Sequence, residues 1–336
     1  MSEGETVGAG SVLFIGGTGT ISSACVAEAL KNGRSVTILN RGRSALRPAH
    51  EGAELLVADA RSPEEIRQAI GNREFDVVAE FTAFTPEHVQ ADVDFFEGRT
   101  GQYVFISSAS AYQKPPSRLP VTESTPLRNP FWQYSRDKIA CEDLLIAAYR
   151  ERGFPATVVR PSHTYDRSSL PTLGRWTDID RMLRGKPVIV HGDGTSLWTI
   201  THNTDFAVAF DGLLARPESI GEAFHITSDE SPTWNQIYTW LGTAAGAEPD
   251  LVHVASATIA AEIPRLGPGL LGDKMHSMVF DNSKVKSLVP HYSARVPFAS
   301  GAAEIVEWFQ ADAARRVVDP ELDASFDRLA AGAGTR

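Results

Sequence analysis

Ser11-Val12-Leu13-Phe14-Ile15 is a short β-type apolar run, and Gly16-Gly17-Thr18-Gly19-Thr20-Ile21-Ser22 follows it without a break. From Ile21 to Asn32 the apolar residues recur at helical spacing, and Gly33 supplies a usual helix stop. A strand, a turn of small residues and a helix, in that order, let the main chain approach a pyrophosphate closely. The unpaired N–H groups at the helix start then bind its charge. Glycine is also the default residue of any strand-to-helix turn, so the position, first strand to first helix, carries the reading of a dinucleotide site. Ser22 stands where the last glycine of a Gly-x-x-Gly-x-x-Gly pattern would fall, and it is small enough to keep helix and strand close.

Strand-like and helix-like segments alternate from there through residue 165. Ser35–Leu39, Leu55–Ala58, Asp76–Phe81, Tyr103–Ser107 and Ala156–Arg160 read as strands. Ser62 is placed to cap a helix with Pro63 at its first position and Glu65 able to close a capping box; Gln133–Arg152 reads as a helix ending at Gly153. Such alternation predicts a Rossmann-like doubly wound α/β fold: a parallel sheet with helices on both faces and ligands outside the carboxyl ends of the strands. After Tyr165 the alternation is lost, although Ala223–Thr227 has the texture of a strand returning to the sheet and Thr233 with Gln236 begins another helix. The expected organisation is a dinucleotide-binding domain of residues 10–165 and 198–230, with a smaller, discontinuous substrate domain of residues 166–197 and 231–325. The Gly/Ala-rich tail after Leu329 is expected to fray.

Composition narrows the classes. The chain has 336 residues, 22% charged and 42% hydrophobic, with a formal charge of −10, which argues against a nucleic-acid partner that would need clustered Lys and Arg. No apolar run approaches membrane-spanning length, and the polar start, Met1 to Gly10, does not read as a signal peptide. Two cysteines, Cys25 and Cys141, lack metal-ligand spacing and suit a reducing cytoplasm, so neither a metal nor a disulfide is expected.

Three further stretches concern chemistry. Asn40-Arg41-Gly42-Arg43 closes the second strand: Asn40 can accept from an adenosine ribose, and the arginines could pair with a 2′-phosphate, leaning mildly towards NADP. Asp59, after the third strand, suits the adenine amino group or a loop cap. Tyr134 and Lys138 lie four apart on one helix face, whereas seven Tyr and seven Lys in 336 residues give about 0.15 such pairs by chance. A neighbouring ammonium favours the phenolate, and the phenol can then exchange a proton with an alcohol or carbonyl oxygen. Ser107-Ser108-Ala109-Ser110 ends the fifth strand, where a hydroxyl can donate to a developing oxyanion.

Taken together, the glycine turn, the strand-end serines and Tyr134/Lys138 resemble the extended short-chain dehydrogenase/reductases, in the NAD-dependent epimerase/dehydratase branch. Val159-Arg160-Pro161-Ser162-His163-Thr164-Tyr165, Gly192-Asp193-Gly194 through Thr201-His202-Asn203-Thr204-Asp205, and Asp281-Asn282-Ser283-Lys284 are similar to the family's further blocks. The resemblance implies Ser108 as catalytic hydroxyl (Ser110 in reserve), Tyr134 as acid/base, and Lys138 as the residue that tunes it and holds the nicotinamide ribose. It implies NAD first, with NADP open, bound by Gly16, Thr18, Gly19, Thr20, Ile21, Asn40, Arg41, Asp59, Phe81, Thr82, Ala83, Ser107, Tyr134, Lys138 and Pro161. Ser108, Ser110, Tyr134, Ser162, His163 and Trp198 are expected at a sugar-containing substrate, and a homodimer is expected.

Two departures bear on the substrate. Ala109 and Ser110 occupy the positions where the family's dehydratases carry an acidic pair, and Trp198 stands where an arginine grips a nucleotide diphosphate. The expected activity is therefore epimerisation of a sugar moiety, of a nucleoside or nucleotide sugar, through a transient ketone. The alternatives are net oxidation or reduction of a sugar or related alcohol, or a non-catalytic dinucleotide-binding or RNA-associated role.

Overall fold

A computed structural model describes residues 10–333; the start of the chain up to Ala9, where the polar leader reading falls, lies outside the described residues. β1 (Ser11–Ile15), α1 (Ser22–Lys31), β2 (Ser35–Asn40), β3 (Glu54–Val57), α2 (Pro63–Ile70), β4 (Phe75–Glu80), α3 (Pro86–Phe96), β5 (Thr100–Ile106), α4 (Gln133–Arg152) and β6 (Ala156–Pro161) alternate along the first half. With β10 (Ala223–Ile226) the strands form one seven-stranded sheet in the order β10-β6-β5-β4-β1-β2-β3. Every pairing in it is parallel.

Parallel strands covered on both faces need apolar residues at every position. In β1, Val12 and Phe14 enter a core with α1 and α6 (Asn203–Leu213), while Leu13 and Ile15 enter the opposite core with α2, α3 and α4. The strand order reverses between β1 and β4, so a crevice opens beyond their carboxyl ends, where the glycine turn lies.

The remaining elements are β7 (His163–Tyr165), α5 (Trp176–Leu183), β8 (Val188–His191), β9 (Ile200–His202), α7 (Trp234–Ala245), β11 (Leu251–Val254), α8 (Ser256–Glu262), the single turn α9 (Gly267–Gly269), α10 (Ser283–Leu288), α11 (Phe298–Gln310) and α12 (Pro320–Ala333). Two short parallel ladders, β7 with β9 and β8 with β11, are wrapped by these helices over two further cores. Among the described residues no helix is long and apolar enough to cross a membrane.

Several local expectations need correction. The tail does not fray at Leu329: α12 continues to Ala333 and buries Leu322, Phe326 and Leu329. Ser62 caps α2 through the Glu65 amide at 3.3 Å, but the Glu65 carboxylate accepts from the Asp59 amide at 2.8 Å instead of closing a box. The full capping box forms at Thr233 and Gln236. α3 was not read from the sequence, although Pro86 opens it and Val89, Val93 and Phe96 mark its buried stripe.

Candidate active site

The turn after β1 is built around atoms that a side chain would displace. Gly16 sits at φ +86, and a Cβ there would lie 2.2 Å from Thr82 Cγ2. Ser22 does more than a third glycine could. Its hydroxyl donates to Gly16 O at 2.6 Å and accepts from Gly19 N at 2.8 Å, pinning the turn against the start of α1. A groove runs past this turn in three connected parts. A cavity of about 510 Å³ is bounded by Gly16, Thr18, Asn40, Arg41, Arg43, Asp59 and Arg61. The next, of about 440 Å³, is bounded by Gly16, Gly19, Thr20, Ile21, Phe81, Thr82, Ser108, Tyr134, Lys138 and Pro161. The third, of about 310 Å³, shares Ser108, Tyr134, Pro161, Ser162 and His163 with the second and adds Ser110, Trp132, Trp198, Asp273 and Lys274.

Ser108, Tyr134 and Lys138 therefore stand at the waist between the second and third cavities. Ser108 lies two residues beyond β5 and caps the short turn Ala109–Ala111. Its Oγ lies 2.9 Å from Ser110 Oγ, which in turn lies 2.8 Å from Ser135 Oγ, so Ser110 is tied into a buried hydroxyl chain behind Ser108. Tyr134 and Lys138 share a face of α4, with the ammonium 5.9 Å from the phenol ring centre. Lys138 Nζ is buried and donates to Ala83 O and Ile106 O, both at 2.7 Å.

Burial dominates both titrations. It lowers Lys138 to about 8. It raises the Tyr134 phenol above its ordinary value near 10, against the Ser108 hydrogen bond that pulls it down. The expectation that an adjacent ammonium brings the phenol towards neutrality is thus not met here, because Lys138 sheds its proton before the phenol does.

Other sequence-chosen residues have more specific placements. Ser107 borders the second cavity, but its hydroxyl is buried and donates to Glu142, which Arg160 clamps at 2.5 Å. Ala83 is fully buried and contributes its carbonyl to Lys138, not a wall to the cavity. Asn40 turns inward, accepting from Gly42 N at 2.7 Å and donating to Thr18 Oγ1 at 3.3 Å, while Arg41 and Arg43 are exposed. Asp59 accepts from Arg61 N at 2.9 Å. Ser162 pairs with Thr201 at 2.8 Å. Trp198 is only 3% exposed and packs against Trp234 at 5.3 Å between ring centres, so little of its ring is open to the pocket it borders.

Three features escaped the sequence. Glu80, fully buried at the end of β4, accepts from Ala83 N at 2.6 Å and Thr82 Oγ1 at 2.8 Å, and it meets Arg61 Nη2 at 3.3 Å, shaping the loop that receives Lys138. Arg47, on the loop after β2, ties to Asp166 at 2.6 Å and to Ser168, strapping that loop to the segment beyond β7. Lys274, from a π-helical turn Leu270–Lys274, reaches the third cavity. No local periodicity announces the last two.

The fold and this groove define the class, an extended short-chain dehydrogenase/reductase with a cleft for a dinucleotide. The left-handed Gly16, with no room for a Cβ, and the continuous cavities along the turn fit such a group. The model of the NAD dependent epimerase/dehydratase family matches residues 12–227, and the chain belongs to that family. It is an NAD-dependent enzyme. The 2'-dehydrokanamycin reductase of Streptomyces kanamyceticus is 27% identical over 326 residues, 95% of this chain and 90% of the relative. The UDP-glucose 4-epimerase of Lactobacillus helveticus is 26% identical over 308 residues, 83% of this chain and 90% of the relative. The solved structure of dTDP-glucose 4,6-dehydratase from Bacillus anthracis, in complex with NAD, superposes with a TM-score of 0.72 at 20% identity, over 90% of this chain and 97% of that one.

Proposed function

We propose that the protein is an epimerase that inverts a ring carbinol of a sugar-containing substrate through a transient ketone. The observation that carries the reading is the position of Ser108, Tyr134 and Lys138 at the waist joining the dinucleotide groove to the pocket beyond it. Gly16, Thr18, Gly19, Thr20 and Ile21 receive the pyrophosphate, Asn40, Arg41 and Asp59 the adenosine, and Phe81, Thr82 and Pro161 the nicotinamide end. Bound NAD supplies hydride acceptance from a carbon and its return. Tyr134 carries the proton between the substrate oxygen and the protein, Ser108 donates to the same oxygen as charge develops on it, and Lys138 supplies positive charge beneath the phenol.

Two features favour inversion over elimination or release. Ala109 and Ser110 provide no carboxylate where a dehydration would need one. The strap from Arg47 to Asp166 and Ser168 ties the loop after β2, whose Arg43 and Ser44 border the first cavity, to the segment beyond β7, and suits a cofactor retained through both half-reactions. Net reduction is the second reading, favoured by a phenol that stays protonated and so is poised as an acid. Purified protein incubated with candidate sugars should invert one carbon with no accumulation of NADH. Stoichiometric NADH or NAD formation would transfer the assignment to the second reading, and mass analysis of dinucleotide released on denaturation identifies the cofactor carried.

A further inference from the structure

The third cavity holds a cation that the Ser/Tyr/Lys chemistry does not use. Lys274 Nζ lies 3.2 Å from His163 Nδ1 and faces the rings of Trp198 and Trp234, at 5.2 and 5.6 Å from their centres. Among the described residues it has no carboxylate within ion-pair distance, whereas its neighbour Asp273 is already committed to Lys114 at 3.0 Å. The backbone fixes it there: Lys274 O accepts from His191 Nε2 at 3.0 Å and from Trp234 Nε1 at 3.1 Å. Lys274 is half-buried, and a partly desolvated ammonium with no carboxylate in ion-pair contact leaves room in the pocket for an anion.

A second donor and a second cation lie beside it. Because the ammonium donates to Nδ1, the neutral His163 ring carries its proton on Nε2, giving a second donor. Burial lowers the Lys274 titration, the Asp273 carboxylate raises it, and the charge of Arg175 lowers it again. That arginine is exposed, with a positive φ of 51.

We propose that Lys274, with His163, is the subsite for one acidic substituent on the substrate sugar, a carboxylate or a phosphate monoester. The assignment rests on the sugar-redox reading of the same pocket and specifies what that sugar carries. The Lys274 ammonium lies over two aromatic rings and is a compact point charge, which suits a single compact anion better than an extended diphosphate.

The test is binding, measured by tryptophan fluorescence with NAD saturating. The probes are methyl glycosides of glucose, galactose and mannose, each compared with its uronate and its 6-phosphate. At least one acidic probe should bind about 10- to 100-fold more tightly than its neutral counterpart. Whether the uronate or the phosphate shows the preference distinguishes the two sources of the anion. Lys274→Met keeps the stem and should abolish the preference, Lys274→Arg should keep it, and circular dichroism checks that both fold. Equal binding of neutral and acidic partners, no binding by any acidic probe, or a preference that survives in Lys274→Met overturns the proposal. Tyr134→Phe separates it from the redox reading, since that variant should lose turnover and keep the preference.

Discussion

Lys138→Met removes the one ammonium beneath the phenol. With the 5.9 Å from Nζ to the Tyr134 ring centre standing in for the separation of ammonium and phenolate, the two charges interact by about 3 kcal/mol at an effective dielectric constant of about 20. That is about 2 pKa units, or a factor of about 100 in phenolate at a pH below both titrations. Oxidation of the substrate alcohol, followed as kcat/KM at pH 7, should therefore fall about 100-fold, with the rising limb of the profile displaced to higher pH. Because Lys138 titrates near 8 in the free protein, the wild-type advantage should shrink as pH rises through that value. Tyr134→Phe gives the contrasting pattern, a loss of the same size at every pH. Lys138→Met also strands the Ala83 and Ile106 carbonyls, so a urea titration should show a loss of about 1–3 kcal/mol. An activity loss uniform from pH 6 to 10 would refute the electrostatic account and leave Lys138 as a brace for those two carbonyls.

Ser108→Ala should lower kcat by about 100- to 1000-fold and move the phenol titration further up, since the Ser108 hydroxyl opposes the effect of burial there; Ser110→Ala, removing a group behind it, should lower kcat less than tenfold. Arg47→Ala should release dinucleotide about tenfold faster in a stopped-flow chase, and an unchanged rate would show that the strap does not retain it. Asp92 is buried beside Glu80 and Tyr103 and is pushed well above the usual carboxylate range, by burial first and then by the Glu80 charge. Its native proton is lost on unfolding near neutrality, so its contribution to stability is full below about 3.8 and fades as pH rises through the folded value. Asp92→Asn should then gain on the wild type in urea midpoint between pH 5 and pH 8, and a parallel loss at both pH values would contradict a protonated Asp92.

The sheet was legible because strands buried on both faces leave unbroken apolar runs, as Val12–Ile15 and Val77–Ala79 do. Tyr134 and Lys138 were legible for another local reason, that four residues make one helical turn. Lys274 reaches the same pocket from a π-helical turn far along the chain, and nothing in Gly272-Asp273-Lys274 says that its ammonium will meet His163. Glu80 reads as the polar end of a strand, and only the packed structure shows it fully buried and organising Thr82, Ala83 and Arg61. Trp198 was legible as a departure. Its division between core and cavity was not, because that depends on Trp234, which packs against it from α7.

What the pocket lacks limits its chemistry as firmly as what it holds. Elimination of water from a keto sugar needs one group to take a proton from the carbon beside the ketone and another to give one to the departing hydroxide. Position 109 is a buried alanine, and Ser110 is engaged with Ser108 and Ser135. The carboxylate that does line the pocket, Asp273, is held by the fully buried ammonium of Lys114. A base so neutralised gains little by taking a proton, because protonation would leave Lys114 buried and unpaired. The phenol of Tyr134 faces the Ser108 hydroxyl at the waist, so its proton is best placed for the oxygen of a carbinol or ketone. Interconversion of those two states asks for no carboxylate, and inversion follows when the ketone can present either face before the hydride returns.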